Sequence, residues 1–308
     1  MILTATSQQT AGAAIAAPAG AKLAKPRYHW FVIPGLLVTL AIIIFPWVFT
    51  VWMSLHEWKL GGAAQWVGLR NYVELATNQR FLESIWHTFY FTAVAVVLPL
   101  VLGTYAAVVF HREFPFRGVL RTIFIMPMMA TPVAIALVWT MMFHPQLGVL
   151  NYLLGLVGIG PSEWVFARHT VIPSLALVEV WLWTPFVMII VLGGLAAVPT
   201  EPYESALLDG ATQWQMFWRI TFPLVLPFIV VAGIIRTIDA LKAFEVIYVI
   251  SNGGPGTASE TINLYLYSQA FAYYNVGNAS AVVVVFFAIV ASLSLLLLWA
   301  REKAKWND

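Results

Sequence analysis

Six apolar stretches, each long enough to cross the hydrocarbon core of a bilayer, limit what this chain can fold into. Each is close to the ~20 residues that a helical span requires, and they lie at about residues 29–53, 85–110, 119–143, 171–197, 224–250 and 278–299. Of the 308 residues, 61% are hydrophobic and only 10% are charged, which is not the composition of an ordinary soluble domain. We therefore predict an all-α membrane protein with six transmembrane helices.

The residue content also argues against several classes of function. Cysteine is absent, so the fold needs no disulfide, thiol nucleophile or thiolate metal site. The net charge of +2 and the lack of zinc-finger or arginine-rich patterns predict no nucleic-acid partner. The six histidines lie at or beyond the span ends without metal-binding spacing, and residues 253–256 lack the Lys-Ser/Thr of a phosphate loop. We expect no catalytic residues, no metal site and no cofactor bound by this chain.

The basic residues predict the orientation, because lysine and arginine in short loops stay cytoplasmic. Two of the sixteen, Arg236 and Lys242, lie inside the fifth span, and four lie in one set of loops: Lys59, Arg70, Arg80 and Arg168. The other ten lie in the opposite loops and the tails: Lys22, Lys25, Arg27, Arg112, Arg117, Arg121, Arg219, Arg301, Lys303 and Lys305. We predict cytoplasmic termini, with a flexible N-terminal tail over 1–28, a helical domain over 29–300 and a C-terminal tail over 301–308.

A polar insertion over residues 199–223 separates the fourth and fifth spans. Pro199 ends the preceding helix, Thr200 is a suitable N-cap, and Gly210 is a typical helix stop. Thr212 can cap a second short helix that carries aromatic residues on one face. The pattern predicts a helix-turn-helix on the cytoplasmic side, where a cytosolic ATPase could contact it.

This insertion matches a longer pattern, E-(A/S)-A-x-x-D-G-A-x-x-x-x-x-F-x-x-I-x-x-P. The matching residues are Glu204, Ser205, Ala206, Asp209, Gly210, Ala211, Phe217, Ile220 and Pro223. The pattern resembles the coupling-helix signature of binding-protein-dependent ABC importer permeases, which usually have alanine where this chain has Ser205. The resemblance implies the transmembrane domain of a type I ABC importer, with these residues coupling it to the ATPase.

The fifth span carries four charged residues at a spacing of three: Arg236, Asp239, Lys242 and Glu245. Each isolated charge at a helix centre costs ~2.5–3.5 kcal/mol on insertion scales, so these side chains must pair or face protein or water. One interpretation is a neutral intrahelical ladder that only orients the helix, which suits Arg236 and Glu245 near the span ends. The other is a role in the transport pathway, which we favour for Asp239 and Lys242.

Two further elements resemble the maltose-type sugar permeases. Trp181, Pro185 and Phe186 match W-x-x-x-P-(Y/F) in the fourth span, and residues 252–255 match N-G-G-P after the fifth. In that subfamily the sugar site lies between these two helices, which implies ligand contacts at Glu179, Leu182, Trp183, Phe186, Arg236, Asp239, Ala240 and Ala243. The charge pattern adds Lys242. Carboxylates beside aromatic faces suit a polyhydroxylated ligand.

Two matched positions depart from the maltose-type pattern. Ala240 and Ala243 stand where those permeases have polar residues, which indicates a different ligand. The segment 236–240, followed by Phe244 and residues 247–249, is more similar to trehalose- and polyol-type permeases.

The resemblance also implies partners and a location. These are a second related permease, two ATP-binding cassette subunits that bind ATP and Mg, an extracytoplasmic solute-binding protein, a sugar substrate and the lipid of a bacterial plasma membrane. The alternative is a proton-coupled secondary sugar transporter in which Glu179 and Asp239 carry the proton. The helix-turn-helix favours the importer, because a proton-coupled carrier does not need it.

The loop at 257–277 is rich in aromatic residues, namely Tyr265, Tyr267, Phe271, Tyr273 and Tyr274. Such residues are typical of a membrane-interface belt, and the same surface could dock a binding protein.

Overall fold

The computed structural model describes residues 29–303. The predicted N-terminal tail and residues 304–308 of the predicted C-terminal tail lie outside this range. The helices are α1 His29–Ser54, α2 Arg70–Thr77, α3 Gln79–His111, α4 Arg117–Ile125, α5 Pro132–Met142, α6 Val149–Leu156, α7 Val171–Ala196, α8 Glu201–Leu208, α9 Gln213–Met216, α10 Phe222–Leu241, α11 Glu245–Ile250, α12 Ile262–Tyr267 and α13 Val276–Lys303. A short antiparallel pair, β1 His56–Glu57 and β2 Gln65–Trp66, follows α1.

Five of the described helices are long and apolar enough to cross a membrane, and a bent pair makes a sixth if it is one span. This confirms the predicted class of helical membrane protein. The five are Trp30–Ser54, Gln79–His111, Val171–Ala196, Gln213–Leu241 and Val276–Glu302. Among the described residues, 29–47 and 48–303 belong to separate compact units, so α1 is described by itself as a helix with internal prolines at 34 and 46.

The third predicted span is not one continuous helix. Between α4 and α5 the chain forms a 3₁₀ turn at Met126–Met129, and the two helical parts are bent by 99°. The cause is Pro132, which begins α5 and disfavours helical geometry at the residue before it. Thr131 accordingly has extended backbone angles, with φ −69° and ψ 135°.

The fifth predicted span is also interrupted. α10 ends at Leu241 and α11 begins at Glu245. The amide of Lys242 bonds to the carbonyl of Asp239 and that of Ala243 to Ala240, so the last turn tightens and the regular helix stops. The prediction of one helix over 224–250 is therefore wrong at residues 242–244.

Helices α3, α7 and α10 form the centre of the described fold. Small residues allow close approach here, as is common between helices in membranes. A Cβ added at Gly103 of α3 would lie 2.6 Å from the Cβ of Val187 in α7. Buried side chains such as Ala107, Val191 and Val225 fill the space between the three helices.

Candidate substrate cavity and coupling segment

A cavity of about 330 Å³ lies at the break between α10 and α11, bounded also by α7 and the start of α5. Its volume falls within the range of small-ligand sites, roughly 300–1,000 Å³. The lining residues are Pro132, Glu179, Leu182, Trp183, Arg236, Asp239, Lys242, Ala243, Glu245 and Val246. The fold thus brings seven of the nine predicted substrate residues to one cavity.

The other two predicted residues do not line the cavity. Ala240 is 2% exposed and packs in the hydrophobic core, because its side of α10 faces away from the cavity. Phe186 lies behind Trp183, with the ring centroids 5.9 Å apart in an edge-on arrangement.

Arg236 joins three helices from a buried position. Its guanidinium Nη2 donates to Glu179 Oε2 on α7 at 3.0 Å and to the Ala95 carbonyl on α3 at 3.4 Å. The same guanidinium lies over the ring of Trp183, 4.6 Å from the centroid. Arg236 is 1% exposed and its ionic partner Glu179 belongs to another helix, so the structure does not support the intrahelical ladder considered as one interpretation for Arg236. The spacing of charges within α10 could not predict a partner on α7, such as Glu179.

The remaining charges of the fifth span are accessible from the cavity. Lys242 Nζ lies 3.6 Å from Asp239 Oδ1, and the two side chains are 53% and 41% exposed. This part of the predicted ladder is present. Glu245 also lines the cavity, from the first turn of α11. Sequence analysis did not include it in the substrate set, because the helix break that turns it inward gives no signal in the charge spacing.

The charged residues of this cavity form two groups: accessible side chains that can bind a ligand, and a buried ion pair. The carboxylates of Asp239 and Glu245 can accept hydrogen bonds from hydroxyl groups, and the ammonium of Lys242 can donate. Glu179 and Arg236 are already committed to each other and hold Trp183 in place. Within residues 29–303, no three His, Cys, Asp or Glu side chains lie close enough together to hold a metal ion.

The predicted helix-turn-helix is present as α8 and α9. Gly210 has φ +73°, a conformation that favours glycine, and ends α8. The Ala211 amide donates to the Ala206 carbonyl and the Gly210 amide to Leu207, which is the pattern of a Schellman C-cap. Thr212 caps α9 together with Gln215 in a capping box, as predicted for Thr212.

Two features of this segment differ from the sequence prediction. Thr200 makes no side-chain cap bond, because its backbone is already helical with φ −83° and ψ −25°. The second helix does not end before the fifth span. It continues through a π-helical turn at Phe217–Thr221 into α10, where the Phe222 amide bonds to the Phe217 carbonyl. Pro223 lacks an amide hydrogen, so a widened turn fits at this junction.

The α8–α9 segment presents an apolar and aromatic surface. Leu208 is 90% exposed and Trp214 69% exposed. Phe217 packs against Trp214 and Trp218, with centroid distances of 6.3 and 5.0 Å. Four of the predicted coupling residues, Glu204, Ser205, Asp209 and Gly210, are also exposed. This exposed surface lies at the N-terminal end of α10, whereas the cavity lies at its C-terminal end.

An ion pair that the sequence did not predict joins the start of α3 to the loop before α12. Arg80 at the start of α3 makes a bidentate contact with Glu260, with distances of 2.6 and 2.7 Å. The guanidinium also lies 5.7 Å from the ring centroids of Tyr265 and Tyr273. Tyr265 is 1% exposed, so its ring is buried and is not part of a membrane-interface belt. The partners are far apart in the chain, and no local pattern links them.

These features define a class of protein: a multi-pass membrane permease with a charged cavity at a broken helix and an exposed docking segment. The fold is that of a type I ABC importer permease. The crystal structure of a bacterial ABC transporter that imports the acidic polysaccharide alginate aligns with a TM-score of 0.78 and 22% identity, over 90% of this chain and 95% of that one.

The chain belongs to the family of binding-protein-dependent transport system inner membrane components, whose model matches residues 99–302. It is 36% identical to the trehalose/maltose transport system permease protein MalF of Thermococcus litoralis over 274 residues, covering 88% of this chain and 92% of the relative. It is 30% identical to the trehalose transport system permease protein SugA of Mycobacterium tuberculosis over 302 residues, covering 96% and 95%.

Proposed function

We propose that this chain is the membrane-spanning permease subunit of an ATP-driven carbohydrate importer. It receives an oligosaccharide, disaccharide or polyol from an extracytoplasmic binding protein and passes it through a cavity shared with a second, related permease. The observation that carries the proposal is the cavity at the α10–α11 break, which combines accessible carboxylates, an ammonium and an indole ring in a member of this family. The trehalose and maltose permeases named above support the substrate class.

In this proposal the side chains of the cavity have distinct roles. Asp239 and Glu245 accept hydrogen bonds from sugar hydroxyls, and Lys242 donates to sugar oxygens. The exposed part of the Trp183 indole ring stacks on the apolar C–H face of a sugar ring. Arg236 and Glu179 position Trp183 and close the base of the cavity, since their charged groups already satisfy each other.

The α8–α9 segment transmits the work of ATP hydrolysis. We assign the contact with the ATPase to Glu204, Ser205, Ala206, Asp209, Gly210, Ala211, Phe217 and Pro223. Two ATP-binding cassette subunits bind ATP and Mg, and this chain has no catalytic role. The proposed location is the bacterial plasma membrane, with both termini and α8–α9 on the cytoplasmic side.

A proton-coupled secondary transporter is not favoured. Glu179, one of its two candidate proton carriers, is paired with Arg236 at 3.0 Å, and the family depends on a binding protein. An exposed docking segment also has no function in such a carrier.

The test is transport by the complete complex, reconstituted in proteoliposomes with its partner permease, ATPase subunits and binding protein. Radiolabelled trehalose, maltose, glucose and mannitol are supplied with the binding protein outside, and ATP is enclosed with the ATPase subunits. We expect uptake of at least one of these compounds that requires both ATP and the binding protein. Uptake driven by a proton gradient without ATP would contradict the proposal, as would failure to transport any carbohydrate.

A further inference from the structure

Four aromatic side chains form a continuous row that starts at the cavity. Phe244, the residue before α11, stacks on Tyr248 of α11 with the ring centroids 5.2 Å apart. Tyr267 at the end of α12 lies 5.2 Å from Phe244 and 5.1 Å from Tyr248. Phe271, in the π-helical turn after α12, lies 5.1 Å from Tyr267. Neighbouring rings are thus in van der Waals contact along the whole row.

The inner end of the row adjoins the cavity. Phe244 stands between Ala243 and Glu245, and both of these residues line the cavity. Phe244 and Tyr267 pack on one side against the buried core. At the outer end, Phe271 is 65% exposed, and Tyr248 in the middle is 37% exposed. The row is therefore fixed on one side and open on the other.

The row also leads away from the coupling segment. It lies beyond the C-terminal end of α10, whereas α9 joins the N-terminal end through the π turn. α10 has 20 residues and is therefore about 30 Å long. In the orientation proposed above, Phe271 lies on the side from which the binding protein delivers the substrate.

The polar atoms of the row distinguish it from a purely apolar surface. The hydroxyl oxygens of Tyr248 and Tyr267 lie 3.5 Å apart, at the middle of the row. Tyrosine hydroxyls are protonated near neutral pH, so each of the two groups can donate one hydrogen bond and accept others. Ring faces for C–H groups beside hydroxyls for hydroxyls are what a sugar requires, whereas a lipid chain needs only the apolar part.

We propose that Phe244, Tyr248, Tyr267 and Phe271 form a stacking track on which a saccharide moves from the outer surface into the cavity. The inference rests on the proposed function, because it names the entry path for the same substrate. Each ring offers a sugar a partial binding surface, and the next ring is close enough to take it over before the first is released. The track thereby replaces one large desolvation step by several small ones.

Phe271 is the residue for the test, because its exposure makes loss of folding an improbable result of replacement. Phe271→Ala removes the ring, Phe271→Leu keeps an apolar side chain without an aromatic face, and Phe271→Trp keeps a face. Tyr152→Ala is the matched control, since Tyr152 is a 67% exposed aromatic residue of α6 outside the row. Uptake of trehalose and maltose is measured against sugar concentration in the reconstituted complex, together with the yield of assembled complex.

Loss of one stacking surface should raise the apparent KM roughly two- to tenfold in both the Ala and Leu variants, with normal assembly. The Trp variant and the Tyr152 control should transport as the unchanged complex does. Normal uptake by the Leu variant with loss in the Ala variant would overturn the track, because it would identify an apolar contact with lipid. Poor assembly of the Ala and Leu variants would overturn it in favour of a partner-subunit interface.

The two proposals fail differently in this experiment. If the unchanged complex transports sugar and all Phe271 variants match it, the track is wrong and the proposed function stands. If the unchanged complex transports no carbohydrate, the proposed function is wrong and the track falls with it.

Discussion

Replacing Glu179 by alanine should destabilise this protein, although the residue lines the proposed substrate cavity. The guanidinium of Arg236 is 1% exposed and its ionic partner is Glu179 Oε2 at 3.0 Å. Removing the carboxylate leaves a charge in a buried site inside the membrane region. Breaking a buried pair in this way costs about 3–5 kcal/mol.

Asp239 provides the matched comparison, because its alanine variant removes a carboxylate from the same cavity. Its side chain is 41% exposed and that of its partner Lys242 53%, so their attraction is screened by water. Such a pair contributes about 0–1 kcal/mol. The same chemical change at the two positions should thus differ several-fold in its effect on stability.

The assay is thermal unfolding of the purified complex in detergent, with assembly yield measured in parallel. Glu179→Ala should lower the unfolding midpoint by roughly 5–10 °C, and Asp239→Ala by less than about 2 °C. The double variant Glu179→Met with Arg236→Met should recover most of the loss, since a buried ion pair can often be replaced by apolar residues. Equal stability of Glu179→Ala and the unchanged protein would refute this reasoning, as would a double variant no better than the single one.

Three further outcomes are expected. Asp239→Asn should lower sugar uptake by roughly five- to 150-fold, the equivalent of about 1–3 kcal/mol of lost binding; normal uptake in proteoliposomes would place the ligand elsewhere. Gly210→Pro should abolish stimulation of ATP hydrolysis by the binding protein while the subunit still inserts, because the φ of +73° that ends α8 is closed to proline; unchanged stimulation would remove the coupling role of α8–α9. Expression without the second permease should give a low, polydisperse yield, since Lys242 and Glu245 are exposed on a membrane-spanning chain; size-exclusion chromatography showing equal behaviour with and without that permease would contradict this.

Much of the fold could be predicted from the sequence because the bilayer imposes one dominant rule. Apolar runs of sufficient length form helices, and local chemistry indicated where the segment between the fourth and fifth spans turns. Gly210 and Thr212 are in the predicted conformations, since their effects depend on a few neighbouring backbone groups.

The helix breaks at Thr131 and at residues 242–244 were harder to predict from the sequence. Hydropathy stays high across the first break. At the second, charged residues are present, but only the pairing of individual amides reveals where the helix stops. A proline such as Pro132 shows that a bend is tolerated in a membrane helix, and it does not give the angle.

For the cavity, the positions matched to the sugar permeases included most of the lining residues. Which of these residues pair with each other, and which remain accessible to a ligand, was not predictable. Charge spacing paired Arg236 within its own helix, whereas the fold pairs it with Glu179 at 3.0 Å on another helix. Spacing reports neighbours along one helix, and burial depends on which helices pack together. The same limitation concealed Glu245 and the contact between Arg80 and Glu260.

The most direct test of the account is the location of the bound sugar in a cryo-electron microscopy structure of the assembled complex. The sample is the full transporter with the carbohydrate that uptake assays identify, held before ATP hydrolysis. We expect sugar density in the cavity at the α10–α11 break, within hydrogen-bond distance of Asp239 or Glu245, and α8–α9 seated on an ATPase subunit. Sugar density elsewhere, with this cavity empty or closed, would contradict the central claim.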